Sequence, residues 1–188
     1  MKYLYLLAFF FSTSNLESGC KKTNNLIIWD QHYQLTDDAF KSKEPAYLNT
    51  LAESFIGLRV EYEYRDTLVF DVLCTMDKSK SWMIENSIYV LKHEKGHFDI
   101  GEIYARILRK SIFSVKKSIK PANFKIIDSL YYDIGKKMLD EQRKYDTATT
   151  IPARNREAQS AWNLSIQKRL DSLDGYKRNK SEKLRLKR

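Results

Sequence analysis

The fold is decided by residues 92–112, which read KHEKGHFDIGEIYARILRKSI. Apolar residues in and around this stretch recur at the three- and four-residue spacing of an amphipathic helix, from Ile88 to Ile112. The pattern predicts a long helix that begins after an N-cap at Ser81 and ends before Pro121. Since the apolar face of such a helix has to be buried, we expect the rest of the chain to pack against it.

Strands are predicted before this helix and further helices after it. Residues 26–30 have the composition of a short strand, and residues 59–65 and 68–76 are typical of two strands joined as a hairpin. Helical periodicity returns at about 123–145 and again at about 155–174. The predicted fold class is therefore α+β, with a small antiparallel sheet or hairpin packed on about three helices.

The long helix carries a His-Glu-x-x-His motif, His93 to His97. Residues four apart on a helix differ by about 40° in direction, so both imidazoles project from one face and can chelate one Zn²⁺. Glu94 lies about 100° round the helix from His93, which places its carboxylate beside a metal-bound water instead of on the metal. Glu94 is the expected general base for that water, and the motif predicts a zincin-like metal helix.

The third zinc ligand is expected on the following helix. If that helix folds back antiparallel, residues 140–146 reach the level of His97. Glu141 is the first candidate because it continues the apolar stripe of that helix, and Asp146 and Tyr145 are the alternatives.

Residues 1–20 predict an export signal of the lipoprotein type. An apolar run at residues 3–11 follows a positive residue, and Ser18-Gly19-Cys20 places small residues before a cysteine. Acylation of Cys20 would leave Cys74 as an unpaired, buried thiol, whereas a Cys20–Cys74 disulfide and a plain cleaved signal are the alternatives. We expect export to the periplasm or cell envelope, with a lipid anchor to a membrane.

The mature chain is predicted to form one domain, residues 21–175, followed by a basic C-terminal tail, residues 176–188. The tail holds seven basic residues and one acidic residue, which accounts for +6 of the net charge of +9. It lacks interleaved aromatic residues beyond Tyr176, and an exported protein meets little DNA. No nucleic-acid partner is therefore expected, and an anionic lipid or envelope polymer is the expected contact of the tail.

Residues 92–112 also resemble the core of a bacterial family of predicted secreted zinc-dependent proteases, catalogued as domain of unknown function 922. The likeness covers about residues 26–170 and includes LTDDAF at 35–40, SW at 81–82, YD at 145–146, and Gln159 with Trp162. The resemblance implies export and a metallohydrolase-like site, but no particular substrate. The chain departs from the family at residues 147–155, which contain no His where the family usually places one.

The leading functional prediction is an exported zinc metalloprotease of the bacterial cell envelope that hydrolyses peptide or protein substrates. His93 and His97 bind zinc, Glu94 is the general base and Glu141 is the third ligand. The alternative is a catalytically inactive envelope lipoprotein that retains the metalloprotease scaffold for binding or structure. The missing downstream His favours the alternative, and the presence of Glu94 argues against it.

Overall fold

The computed structural model describes residues 25–43, 50–64, 68–116, 119, 124–150, 154–178 and 182–184. Three long helices pack beside a small antiparallel sheet in this part of the chain, which confirms the predicted α+β class. The predicted export signal and its lipidation site, Cys20, lie outside the described residues. Among the described helices, none combines the length and the apolar character that a membrane span requires.

The regular elements follow the predicted order, with three short strands added. The strands are β1 (Leu26–Ile28), β2 (Ala52–Glu53), β3 (Ile56–Tyr64), β4 (Leu68–Asp77), β5 (Trp82–Met83) and β6 (Glu182–Leu184). The helices are α1 (Ile88–Val115), α2 (Lys125–Thr150) and α3 (Arg156–Ser172).

The sheet is built on the predicted hairpin of β3 and β4, which pair antiparallel with Val60 opposite Val72. β1 pairs with the end of β4, and β2 and β5 form a separate two-stranded ribbon. One face of β4 lies in the hydrophobic core, with the period of two that a strand requires: Phe70, Val72, Cys74 and Met76. Leu73 and Thr75, on the opposite face, are buried as well.

The C-terminal segment continues the sheet. The sequence predicted a separate basic tail from residue 176, but β6 pairs antiparallel with residues 68–70 of β4. Arg178 supports this placement, because its guanidinium binds both carboxylate oxygens of Asp71, at 2.7 Å for the shortest contact. β1 and β6 thus pair with opposite ends of the same edge of β4, the edge that β3 leaves free.

The N-cap of α1 is Ser87, not Ser81 as predicted. The Ser87 hydroxyl accepts a hydrogen bond from the backbone N–H three residues on, in the usual capping geometry. Ser81 instead accepts from the Phe55 N–H at 2.9 Å and donates to the carbonyl of Asp77 at 2.8 Å. The helix begins late because Trp82 and its neighbour pair with β2 as a strand.

α1 is the central element, packed on the sheet on one side and on α2 and α3 on the others. Gly101 permits the close approach to the sheet. A Cβ at this position would lie 2.7 Å from the Cys74 Sγ and 2.8 Å from the Cγ2 of Ile56, closer than side chains tolerate. The absence of a side chain at Gly101 therefore sets the distance between α1 and the strands.

A buried ion network fastens α1 to its neighbours. Glu102 is 2% exposed and accepts from Arg106 at 3.1 Å and from Arg109 at 2.9 Å. Arg106 also donates to the carbonyl of Leu170 in α3, and Arg109 donates to that of Val72 in β4. Glu102 therefore faces away from the His-Glu-x-x-His motif. Its role is structural, because its charge and those of Arg106 and Arg109 are paired and hydrogen-bonded.

Candidate metal centre

Three donor atoms converge between α1 and α2. The Nε2 atoms of His93 and His97 lie 3.1 Å apart. The Oδ1 atom of Asp146 lies 3.2 Å from His93 Nε2 and 2.8 Å from His97 Nε2. Within the described residues, this is the one group of three His, Cys, Asp or Glu side chains that is arranged to hold a metal ion.

The spacing of these atoms fits a tetrahedral zinc site. Zn²⁺ binds imidazole nitrogen and carboxylate oxygen at about 2.0–2.2 Å, so ligand atoms of one tetrahedron lie about 3.3–3.6 Å apart. The observed separations of 2.8, 3.1 and 3.2 Å are somewhat shorter, each within about 0.5 Å of the lower end of that range. Three protein ligands with the fourth position left for water or substrate is the composition of catalytic zinc sites.

The hydrogen bonds at Nδ1 of His93 place the ring proton on that atom, so the lone pair of Nε2 can bind a metal. Its Nδ1 faces the Oε1 of Gln159 at 3.2 Å and the hydroxyl oxygen of Thr149 at 3.3 Å. Thr149 donates its own proton to the carbonyl of Tyr145 at 2.7 Å, so it can only accept from the imidazole. The imidazole proton is therefore assigned to Nδ1 of His93. On the other ligand, the Nδ1 of His97 faces the Oε1 of Gln142.

The cluster attracts positive charge. Burial disfavours the imidazolium of His97, but the Asp146 carboxylate outweighs burial and raises the pKa of His97 to about 9. Burial likewise opposes ionisation of Asp146, yet the two imidazoles hold the pKa of its carboxyl well below the ordinary value. A site that favours a carboxylate beside two imidazole nitrogens is suited to a cation, either a proton or a metal ion.

Tyr145 supports the two histidines without belonging to the cluster. Its ring stacks on His93 with centroids 4.7 Å apart and meets His97 edge-on at 4.8 Å. Its hydroxyl donates to the backbone carbonyl of His93 at 3.0 Å. The ring fits there because residue 96 is glycine: a Cβ on Gly96 would lie 2.7 Å from the Tyr145 Cζ. Tyr145, an alternative for the third ligand, therefore acts in this structure as a packing surface.

Glu141, the first candidate for the third ligand, is not part of the cluster. Its carboxylate accepts from the Tyr104 hydroxyl at 2.6 Å and from the Arg169 guanidinium. The predicted level on α2 agrees with the structure, but Glu141 and Asp146 point about 140° apart on a helix. Asp146, the other acidic residue considered at this level, is the one that faces α1.

Glu94 lies beside the donor cluster and outside it, as expected for a base that does not bind the metal. Its side chain is 3% exposed, and its Oε2 accepts a hydrogen bond from the Ser54 hydroxyl. Ser54 follows β2, so the β2–β5 ribbon holds the Glu94 carboxylate in place. The preceding residue, Glu53, accepts from the Trp82 indole N–H at 3.2 Å. Burial, together with the nearby Glu94 and Asp146 carboxylates, raises the pKa of Glu53.

Several supporting side chains were not predicted from the sequence. Gln142 lies four residues before Asp146, so helical spacing would have indicated it once Asp146 was chosen as a ligand. Gln159 belonged to the family resemblance, which assigned it no role. Ser54 and Thr149 carry no sequence signal, because single hydroxyl residues are common in loops and helices.

A scan against models of protein families finds no matching family. Searches of curated proteins and of solved structures find no match either.

Proposed function

We propose that this protein is a zinc-dependent metallopeptidase of the bacterial cell envelope. The proposed zinc ligands are His93, His97 and Asp146, and the proposed general base is Glu94. The observation that carries the proposal is the convergence of two imidazole nitrogens and a carboxylate oxygen within 3.2 Å, next to a buried glutamate. Two histidines and a carboxylate are a donor set found in zinc hydrolases. The resemblance of residues 92–112 to secreted zinc-dependent proteases points to the same function and stays a prediction.

Each of the chain's own groups has a distinct role in this proposal. Zn²⁺ supplies a Lewis acid that lowers the pKa of a water and polarises a peptide carbonyl. Asp146 contributes one negative charge to the binding of the divalent cation. The Glu94 carboxylate, held at Oε2 by Ser54, accepts a proton from water and can return it to the leaving amine.

Export and lipid anchoring are part of the proposal and rest on the sequence of residues 1–20. The state of the second cysteine is compatible with acylation of Cys20. Cys74 is a free thiol, 1% exposed, packed against α1 in the core. A disulfide from Cys20 would have to reach this buried position.

The alternative of an inactive scaffold protein rested on the missing His after residue 146. In the structure Asp146 itself stands beside the two histidines, so a further His is not needed for a set of three donors.

The test is Glu94→Gln, which keeps the side-chain volume and removes the basic carboxylate. Glu141→Gln is the matched control, because Glu141 is a partly buried glutamate on the neighbouring helix that binds Arg169 and Tyr104. We expect both variants to hold about one zinc per chain, and only Glu94→Gln to lose peptide cleavage, by about 10²–10⁴-fold. Undiminished cleavage by Glu94→Gln would exclude the mechanism. A zinc-loaded wild type that cleaves no member of a broad peptide library would favour the inactive scaffold.

A further inference from the structure

We propose that Gln142 is a positioning residue that fixes His97 as a zinc ligand by holding the imidazole proton on Nδ1. The inference rests on the proposed zinc site. It concerns a residue that touches neither the three donor atoms nor the general base, and that acts through His97.

The orientation of the Gln142 amide follows from its backbone contact. Its Nε2 donates to the main-chain carbonyl of His97 at 3.0 Å. A carbonyl oxygen can only accept, so the NH₂ group of Gln142 must face it. The Oε1 of Gln142 is then the atom that faces Nδ1 of the His97 ring.

This orientation determines the tautomer of His97. An amide oxygen can only accept, so Nδ1 of His97 has to carry the proton that forms the hydrogen bond. In the neutral imidazole the lone pair is then on Nε2, the atom that lies 2.8 Å from the Asp146 Oδ1 and 3.1 Å from the His93 Nε2. Gln142 thus forms hydrogen bonds with both the backbone and the ring of His97. These two bonds orient the Nε2 of His97 toward the donor cluster.

The placement of Gln142 also couples it to the third ligand. Gln142 and Asp146 are four residues apart on α2, just as His93 and His97 are on α1. The packing of α2 on α1 therefore places both the Asp146 carboxylate and the Gln142 amide against His97. An apolar side chain at residue 142 would leave the imidazole free to rotate and to take the other tautomer, in which Nε2 carries a proton and cannot bind metal.

The experiment compares Gln142→Met, Gln142→Glu and Gln167→Met in the otherwise intact protein. Met has a similar length and no hydrogen-bonding amide, whereas Glu keeps the oxygen that accepts from His97 Nδ1. Gln167→Met is the matched control, because Gln167 is exposed on α3 and binds Asp171 at 2.8 Å. The zinc dissociation constant is measured by competition with a chelator, and the Nδ1–H of His97 is followed by ¹H–¹⁵N NMR of the zinc-loaded protein.

We expect Gln142→Met to bind zinc about 10–100-fold more weakly, the usual effect of losing a hydrogen bond to a metal-bound histidine. The protected Nδ1–H signal of His97 should be lost in the same variant. Gln142→Glu should keep the signal and lose less than about 10-fold in affinity, since a carboxylate is an even stronger acceptor for the Nδ1–H, although it cannot donate to the His97 carbonyl. Gln167→Met should match the wild type.

Wild-type zinc affinity in folded Gln142→Met would overturn the inference and leave the proposed function standing. A loss of more than about 10-fold in Gln142→Glu would also overturn it, and this arm decides the question if the Met variant fails to fold. Wild-type protein that binds no zinc would instead refute the proposed function on which the inference rests.

Discussion

Asp146 Oδ1 lies within 3.2 Å of the Nε2 atoms of both His93 and His97, so one carboxylate oxygen serves two imidazoles. If that charge is removed, the two nitrogens still face each other at 3.1 Å without an anion to balance a bound cation. The strength of the site at the residue scale therefore depends on Asp146 as much as on the histidines.

We expect Asp146→Asn to weaken zinc binding by more than about 100-fold, since the loss of a direct ligand exceeds the 10–100-fold effect of losing its supporting hydrogen bond. Glu141→Gln is the matched variant on the same helix and should keep the zinc affinity. Chelator competition on both proteins measures the difference. Equal losses in the two variants would show that Glu141 takes part in metal binding after all.

Gly96 is the other residue-scale constraint, because the Tyr145 ring occupies the space where a Cβ would be. Gly96→Ala should destabilise the fold by up to about 2 kcal/mol, since overpacking costs about 1–3 kcal/mol and the better helix propensity of Ala offsets about 1 kcal/mol. Gly175→Ala is the control, because a Cβ there would meet no atom within 4 Å. Urea unfolding of the two variants tests this, and equal midpoints would contradict the assigned role of Gly96.

At the scale of elements, α1 is held against the sheet by the contact of Gly101 with Cys74. The Cys74 thiol is 1% exposed and lies 3.7 Å from the carbonyl of Phe98 on α1. Burial raises the pKa of the Cys74 thiol well above its ordinary value. The thiol is therefore neutral and inaccessible for as long as α1 stays docked on β4.

We expect Cys74 in a Cys20→Ser variant to be unreactive toward a thiol reagent such as DTNB at pH 8, and to react once per chain after unfolding in guanidinium. Both conditions for reaction, exposure and a thiolate, are missing in the folded state. Because the pKa of Cys74 is higher in the folded state than in the unfolded state, its contribution lowers the free energy of unfolding as the pH rises above about 8.5. Rapid labelling of the native protein would show that α1 and β4 separate readily.

At the scale of the whole molecule, residues 176–178 and 182–184 pack against α1 and β4. Arg109 in α1 donates to the carbonyl of Tyr176 at 2.9 Å, and Arg178 binds Asp71 in β4. β6 then pairs with β4, so the last described residues contact the same sheet that the first strand joins. The basic segment therefore contributes to stability as well as to charge.

A deletion of residues 178–188 should lower the melting temperature, whereas a deletion of residues 185–188 should leave it nearly unchanged. A three-residue strand and one partly exposed ion pair contribute about 1 kcal/mol, which corresponds to about 2–4 °C for a domain of this size. Zinc content should stay the same in both, because the donor residues lie on α1 and α2. Differential scanning calorimetry of the two proteins tests this, and equal melting temperatures would refute a structural role for β6.

The sequence by itself determined the features that depend on local periodicity. Helical and strand periods predicted the α+β class, the central helix and the hairpin, and these were confirmed. The spacing of His93 and His97 placed both imidazoles on one face, and the length of α1 predicted which part of α2 would meet them. Such features follow from the pitch of a helix or the pleat of a strand, which is the same in every protein.

Only the tertiary structure decided which acidic residue stands beside the histidines. Neighbouring positions on α2 differ by about 100° in direction, so the choice between Glu141 and Asp146 depends on how that helix is rotated about its axis. Packing sets this rotation: the Tyr145 ring fits against Gly96, and this turns Asp146 toward α1 and Glu141 toward Arg169. A contact between residues so distant in sequence leaves no periodic pattern, and the pairing of β6 with β4 is of the same kind.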